Sequence, residues 1–340
     1  MRSGFDPSRR RWLRVGLAGA LPAGSAHATG SGASLADALQ AVQADPRAPL
    51  AGLSVLVMRA GQVVFEGKWG QRFIDPADER RSLPVTADTL FRMASVSKLF
   101  VALGVMRLVE AGRLDLDADA GRWLGHPLRN PHFPGVPITP RLLLSHRSSL
   151  RDEGGYVVEP GQALQDLLLP GGALHGTGRC WAEPSADVDM RPGAYFSYCN
   201  LNYGVLGSVI ERASGQRFDR FMHEQVLAPL GMSGGFDPST FSDAQVAQVA
   251  TLYRKAPDEN GPWDPRGPWL PQADDWRGRR PGPLPGLDGY ALGRNGTLFG
   301  PQGRLLRPRA RPRLRDAHAG RRRHDRGAGA SCPRPACRPC

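Results

Sequence analysis

The eight residues Phe91-Arg92-Met93-Ala94-Ser95-Val96-Ser97-Lys98 constrain this chain more than any other stretch. They read as a turn entering a helix: apolar residues follow at Leu99, Val101, Ala102, Val105, Met106, Leu108 and Val109, and Gly112 ends the run. Ser95 is therefore expected at or just inside a helix N-terminus, with Lys98 three residues on along the same face. A serine hydroxyl is a weak nucleophile until a neighbour takes its proton. An ammonium pressed against an apolar wall beside the positive end of a helix holds its proton less tightly, so Lys98 is a candidate partner. Taken alone, the spacing also fits an N-capping serine and a solvated lysine.

Charge does not select a polyanion as partner. The net +12 is concentrated at the two ends: residues 304–340 hold twelve Arg against two Asp, and residues 1–28 hold five Arg against one Asp. The body, 29–303, is left slightly acidic, so neither nucleic acid nor a membrane surface is expected as its partner. No cysteine or histidine spacing suits a metal, and no cofactor motif is present. Only Cys180 and Cys199 of the five cysteines fall in the body. Two readings stay open for them: a disulfide in an oxidising compartment, or two free buried thiols.

Residues 1–28 read as an export signal. Arg9-Arg10-Arg11-Trp12-Leu13-Arg14 resembles a twin-arginine sequence, a short apolar run extends from Val15 to Ala23, and Ala26-His27-Ala28 fits a small-x-small cleavage site. The run is too short to span a membrane, and export of this kind implies a periplasmic protein. Leu35 to Val42 suits a helix capped by Ser34. Leu53–Met58 and Val63–Gly67, around Ala60-Gly61, predict an antiparallel hairpin. Thr139-Pro140 opens another helix, and Gln162–Leu169 suits a short one. Helices are also expected over Gly204–Ala213, closed by Gly215, and over Phe218–Leu227. Val246–Tyr253 reads as a strand. Residues 256–288, rich in Pro, Gly, Asp and Trp, read as a long irregular loop in which Trp263, Trp269 and Trp276 are anchors.

A second motif completes the argument. About a hundred residues after Ser95, Tyr198-Cys199-Asn200 precedes a helix. Ser-x-x-Lys followed by Tyr-x-Asn resembles the serine β-lactamase and penicillin-binding-protein superfamily, in its class C-like branch of D,D-peptidases and esterases. Thr89-Leu90-Phe91-Arg92, Leu143-Leu144-Ser145-His146, Pro192-Gly193, Asn202–Gly207 and Pro229-Leu230-Gly231-Met232 share the resemblance. It implies an α+β fold, with an antiparallel sheet flanked by helices and a helical insertion. It also implies acyl transfer. Ser95 would attack the carbonyl of a β-lactam, a D-Ala-D-Ala peptide or a small ester. Lys98 and Tyr198 would share the proton work, Tyr198 being phenolate-like beside a cation, with the choice of base left open. Asn200 would hydrogen-bond the substrate amide, and the Ser95 N–H would form half of an oxyanion hole. A substrate that is a small molecule or derives from peptidoglycan follows, and oligomeric state does not. The alternative within the same resemblance is a sensor that binds penicillin or peptidoglycan without hydrolysis. His146 reads as structural. Arg147-Ser148-Ser149 departs from the Thr-Ser-Gly of the family.

The family's third motif, Lys-Thr-Gly or His-x-Gly on a strand edging the site, has only one formal counterpart, His318-Ala319-Gly320, among Arg-rich runs. Family-like sequence runs through Tyr290–Gly303 and then gives way to Arg, Pro and Cys. GC-rich codons for residues 309–313, read one base later, encode Ala-Arg-Asp-Leu-Ala, and residues 316–330 yield a plausible helix end, turn and strand under the same shift. These observations predict a frameshift near Gly303. The expected organisation is thus an export signal over 1–28, a partial hydrolase domain over 29–303 lacking its C-terminal strands, and an aberrant, disordered basic tail over 304–340. The chain itself is expected to be inactive. A genuine basic tail that binds nucleic acid or an anionic surface is the alternative.

Overall fold

Ser34 caps α1 (Leu35–Gln43) through a reciprocal pair: its Oγ accepts from Asp37 N at 3.2 Å, and the Asp37 carboxylate accepts from Ser34 N at 3.0 Å. The structure, a computed structural model, describes residues 34–308. The expected export signal, and all but the first five residues of the basic tail, lie outside the described residues.

β1 (Gly52–Arg59) and β2 (Gln62–Phe73) pair antiparallel, and β3 (Leu83–Pro84) joins β2. Ala60 and Gly61 both take left-handed φ, +50° and +78°, as a two-residue hairpin turn matched to strand twist requires. β4 (Leu90–Arg92) then leads through a 3-10 turn, Ala94–Val96, into α2 (Ser97–Glu110). Short helices follow: α3 (Gly121–Leu124), α4 (Pro140–Leu144) and α5 (Leu164–Leu168). Thr139 caps α4, its hydroxyl accepting from Leu142 N at 3.3 Å.

α6 (Leu201–Ser214) is the central helix and is buried on nearly every side; Gly215, at φ +69°, closes it. The inner face of α2, with Phe100, Val101, Val105 and Leu108, packs with Val205, Leu206 and Val209 of α6 in one core. Gly207 lets a second segment approach α6: a Cβ there would lie 2.5 Å from the Gly296 carbonyl oxygen. α7 (Phe218–Met222) runs into a π-helical turn, His223–Leu227, so the expected single helix changes pitch midway.

Three expectations are corrected in the last third of the described chain. Val246–Tyr253 is not one strand. Ser242 and Gln245 form a capping box that starts α8 (Asp243–Val246), and the strand, β5, is Leu252–Lys255. Between them Ala250 N donates to Leu90 O at 2.9 Å, so part of that apolar run lies along β4. Residues 256–288 are not all loop: β6 (Trp269–Ala273) pairs antiparallel with β5, with Trp269 edge-on to Tyr253 at 6.3 Å. Trp276 packs with Leu90, Phe241 and Val246 as an anchor, but Trp263 is half exposed and anchors nothing. The fold also does not end at Gly303. β7 (Leu306–Pro308) pairs antiparallel with β4, Leu305 and Leu306 are fully buried, and Leu305 N donates to Ser97 Oγ at 3.2 Å. The first residues after Gly303 are apolar enough to fill this edge.

The outer face of α2 is different. Val96, Leu99, Leu103 and Met106 form one stripe, and Leu99 is 59% exposed. A helix apolar all round calls for burial on both sides, and here one side is covered. No helix among the described residues is long and apolar enough to cross a membrane.

Candidate active site

The turn that carries Ser95 is strained. Ala94 takes φ +44°, uncommon for a residue with a Cβ, and such backbone concentrates at functional sites. Ser95, the next residue, is exposed, while Lys98, inside the first turn of α2, is only 6% exposed. Opposite them the chain entering α6 brings Tyr198 and Asn200. All four residues predicted from sequence meet here. Ser95 Oγ lies 2.8 Å from the Tyr198 hydroxyl. Lys98 Nζ donates to Ser95 Oγ at 3.1 Å, to Asn200 Oδ1 at 2.9 Å and to the Gln302 carbonyl at 2.8 Å.

Those three acceptors use all three N–H bonds of an ammonium. Ser95 Oγ already accepts from Lys98, which leaves its own O–H free to point at the Tyr198 oxygen. Nζ also lies 5.0 Å from the Tyr198 ring centroid and 5.4 Å from that of Tyr203. The group opens on a cleft of about 680 Å³, whose walls include Ser95, Tyr156, Glu159, Asn200, Gln302 and Arg304.

His146 holds the tyrosine side of the site. Its ring lies 4.5 Å from that of Tyr198, and its Nδ1 accepts from Cys199 N at 3.2 Å. Burial lowers the pKa of His146, and the Lys98 charge lowers it further. The ring is held in place by that contact with Tyr198 and by the Cys199 N–H. Cys180 and Cys199 are free, buried thiols, which decides between the two open readings. Burial pushes the Cys180 thiol up to about 11 and that of Cys199 further still, so neither is a nucleophile near neutral pH.

Two contributors were invisible in the sequence. The Gln302 carbonyl is a backbone group, which no motif reports. Asp152, in the loop after α4, accepts from Asn200 N at 2.9 Å, Leu201 N at 3.0 Å and Asn200 Nδ2 at 2.9 Å. An aspartate 48 residues before its partner carries no local signature.

The Beta-lactamase family profile matches residues 35–335. The chain belongs to this family. It is 37% identical over 212 residues to the esterase EstB of Burkholderia gladioli, covering 59% of this chain and 51% of that protein. It is 29% identical over 188 residues to penicillin-binding protein 4* of Bacillus subtilis, covering 53% of this chain and 36% of that one. Among solved structures, the octameric penicillin-binding protein homologue from Pyrococcus abyssi matches with a TM-score of 0.51 at 26% identity, covering 78% of this chain and 51% of that one. The chain thus spans about half, or less, of the length of these three relatives. The mixed helix and antiparallel-sheet architecture fits the α+β expectation, and the family is one of serine hydrolases.

Proposed function

We propose that this chain carries the acylation half-site of an exported serine hydrolase, with Ser95 as nucleophile and esters as the favoured substrate class. The observation that carries this reading is the placement of Ser95 Oγ within hydrogen-bond reach of both Tyr198 OH and Lys98 Nζ. As Ser95 Oγ attacks a carbonyl carbon, its proton passes to the Tyr198 oxygen. In the same step the Tyr198 O–H proton passes to the leaving group, so Tyr198 is left neutral with the proton it took from Ser95, while Lys98 donates to Ser95 Oγ. The Ser95 N–H faces the new oxyanion. Asn200 lines the cleft with one Nδ2 proton not engaged by Asp152, and that proton is available to a substrate carbonyl. The likeness to EstB favours esters over β-lactams and D-Ala-D-Ala peptides.

Turnover is a separate matter. The exposed stripe on α2 and the abrupt composition change after Gly303 support a frameshift that removed the strand edging the site. On this reading the chain forms the nucleophile but hydrolyses poorly. Mass spectrometry after treatment with a fluorophosphonate tests the nucleophile, and p-nitrophenyl acetate and nitrocefin test turnover. Expected are an adduct on Ser95 that Ser95→Ala abolishes, and ester turnover that rises about 100-fold or more when the frame is restored after Gly303. An adduct that survives Ser95→Ala overturns the assignment, and full turnover by this chain overturns the frameshift. A stoichiometric burst without turnover in the frame-restored protein would favour the sensor reading.

A further inference from the structure

We infer that Asp152 is a positioning residue, which fixes the carboxamide of Asn200 so that its oxygen faces Lys98. The inference rests on the proposed role of Ser95 only for its kinetic consequence. Asn and Gln amides have two faces of opposite polarity, and a turn of 180° about the last bond exchanges them. At Asn200 the wrong face would set an NH2 against the Lys98 ammonium, donor against donor.

Four donors converge on the Asp152 carboxylate. Oδ2 accepts both the backbone N–H and the Nδ2–H of Asn200, each at 2.9 Å. Oδ1 accepts Leu201 N–H at 3.0 Å and the Cys199 thiol at 3.3 Å. The carboxylate thereby satisfies orphan N–H groups at the start of the 14-residue helix α6, where a negative charge is favoured. The same oxygen that grips the Asn200 backbone also holds its side-chain nitrogen. With Nδ2 held there, Oδ1 is directed to Lys98 at 2.9 Å. Lys98 in turn donates to Ser95 Oγ. A chain of charge-assisted bonds thus runs from Asp152 through Asn200 and Lys98 to the nucleophile. A plain helix cap would need only the two backbone contacts. The bond to Nδ2 is the part that a cap does not explain.

The test reads the amide itself. The chain has five asparagines, so selective 15N-asparagine labelling gives a short spectrum, in which Asn200→Gln identifies the Asn200 side-chain signal. In the wild-type protein one Nδ2 proton of Asn200 should exchange slowly with solvent. In Asp152→Asn its exchange should quicken tenfold or more while the amides of α6 stay protected. Fluorophosphonate labelling of Ser95, followed in parallel, should slow tenfold or more at full final amplitude. A merely structural role would lower the amplitude and leave the rate constant of the labelled fraction unchanged. Retained protection of the Asn200 amide, or amplitude loss at unchanged rate, overturns the inference. If Asp152→Asn does not fold, Asp152→Ser, whose hydroxyl can still cap α6, is read in the same way. Failure of both to fold assigns Asp152 to the scaffold and overturns the inference too. If the wild-type chain does not label at all, the hydrolase reading fails, and the amide measurement still decides the role of Asp152.

Discussion

Ser95 Oγ and the Tyr198 hydroxyl stand 2.8 Å apart across 103 residues of chain. One sits on the strained turn before α2 and the other on the stretch entering α6, and the α2–α6 core fixes the gap between them. Tyr198→Phe removes the oxygen and leaves the ring against His146. Labelling of Ser95 by a fluorophosphonate should then slow about 100-fold or more, with little change in the melting temperature. A melting temperature that falls with the labelling rate would make Tyr198 a packing residue instead.

His146 gives the site a pH signature. Its pKa is lowered in the folded protein, so the unfolded chain takes up its proton first as pH falls. Its contribution to stability is therefore full above the unfolded value of about 6.5 and is lost as pH falls from there toward the lowered folded value. Urea unfolding at a series of pH values should show this slope, and His146→Asn should flatten it. An unchanged slope in the variant would place the titrating group elsewhere.

Gly207→Ala should destabilise the fold by about 1–3 kcal/mol. The added methyl meets the backbone of Gly296, which cannot swing aside as a side chain would. A neutral result in a denaturant melt would mean that the 293–297 segment does not lie against α6.

The outer stripe of α2 makes a prediction of opposite sign. Leu99→Glu with Met106→Lys should raise solubility and leave the melting temperature of this chain nearly unchanged, because both side chains are exposed. In the frame-restored protein the same pair should be strongly destabilising, since there the stripe would be covered. Equal effects in the two proteins would contradict the missing-sheet account.

Legibility in the sequence followed the range of the interaction. Ser34, Thr139 and Gly215 announced helix ends because caps are written within three or four residues. Ala60-Gly61 announced the hairpin for the same reason. Ser95, Lys98, Tyr198 and Asn200 were found because two short motifs, each local, imply one another. β6 was hidden by its Pro- and Gly-rich setting and exists through pairing with β5. β7 was hidden among arginines and exists because Leu305 and Leu306 fill the edge of β4. Asp152 and the Gln302 carbonyl reach the site only through tertiary packing, for which neighbouring sequence holds no mark.

The central claim is that Ser95 is the activated nucleophile. Its most direct measurement is peptide mapping of the 340-residue chain after brief exposure to a fluorophosphonate. The account predicts one adduct, on the peptide holding Ser95, absent in Ser95→Ala and much slower to form in Lys98→Met. An adduct on another serine, or one formed at the wild-type rate in Lys98→Met, would contradict it.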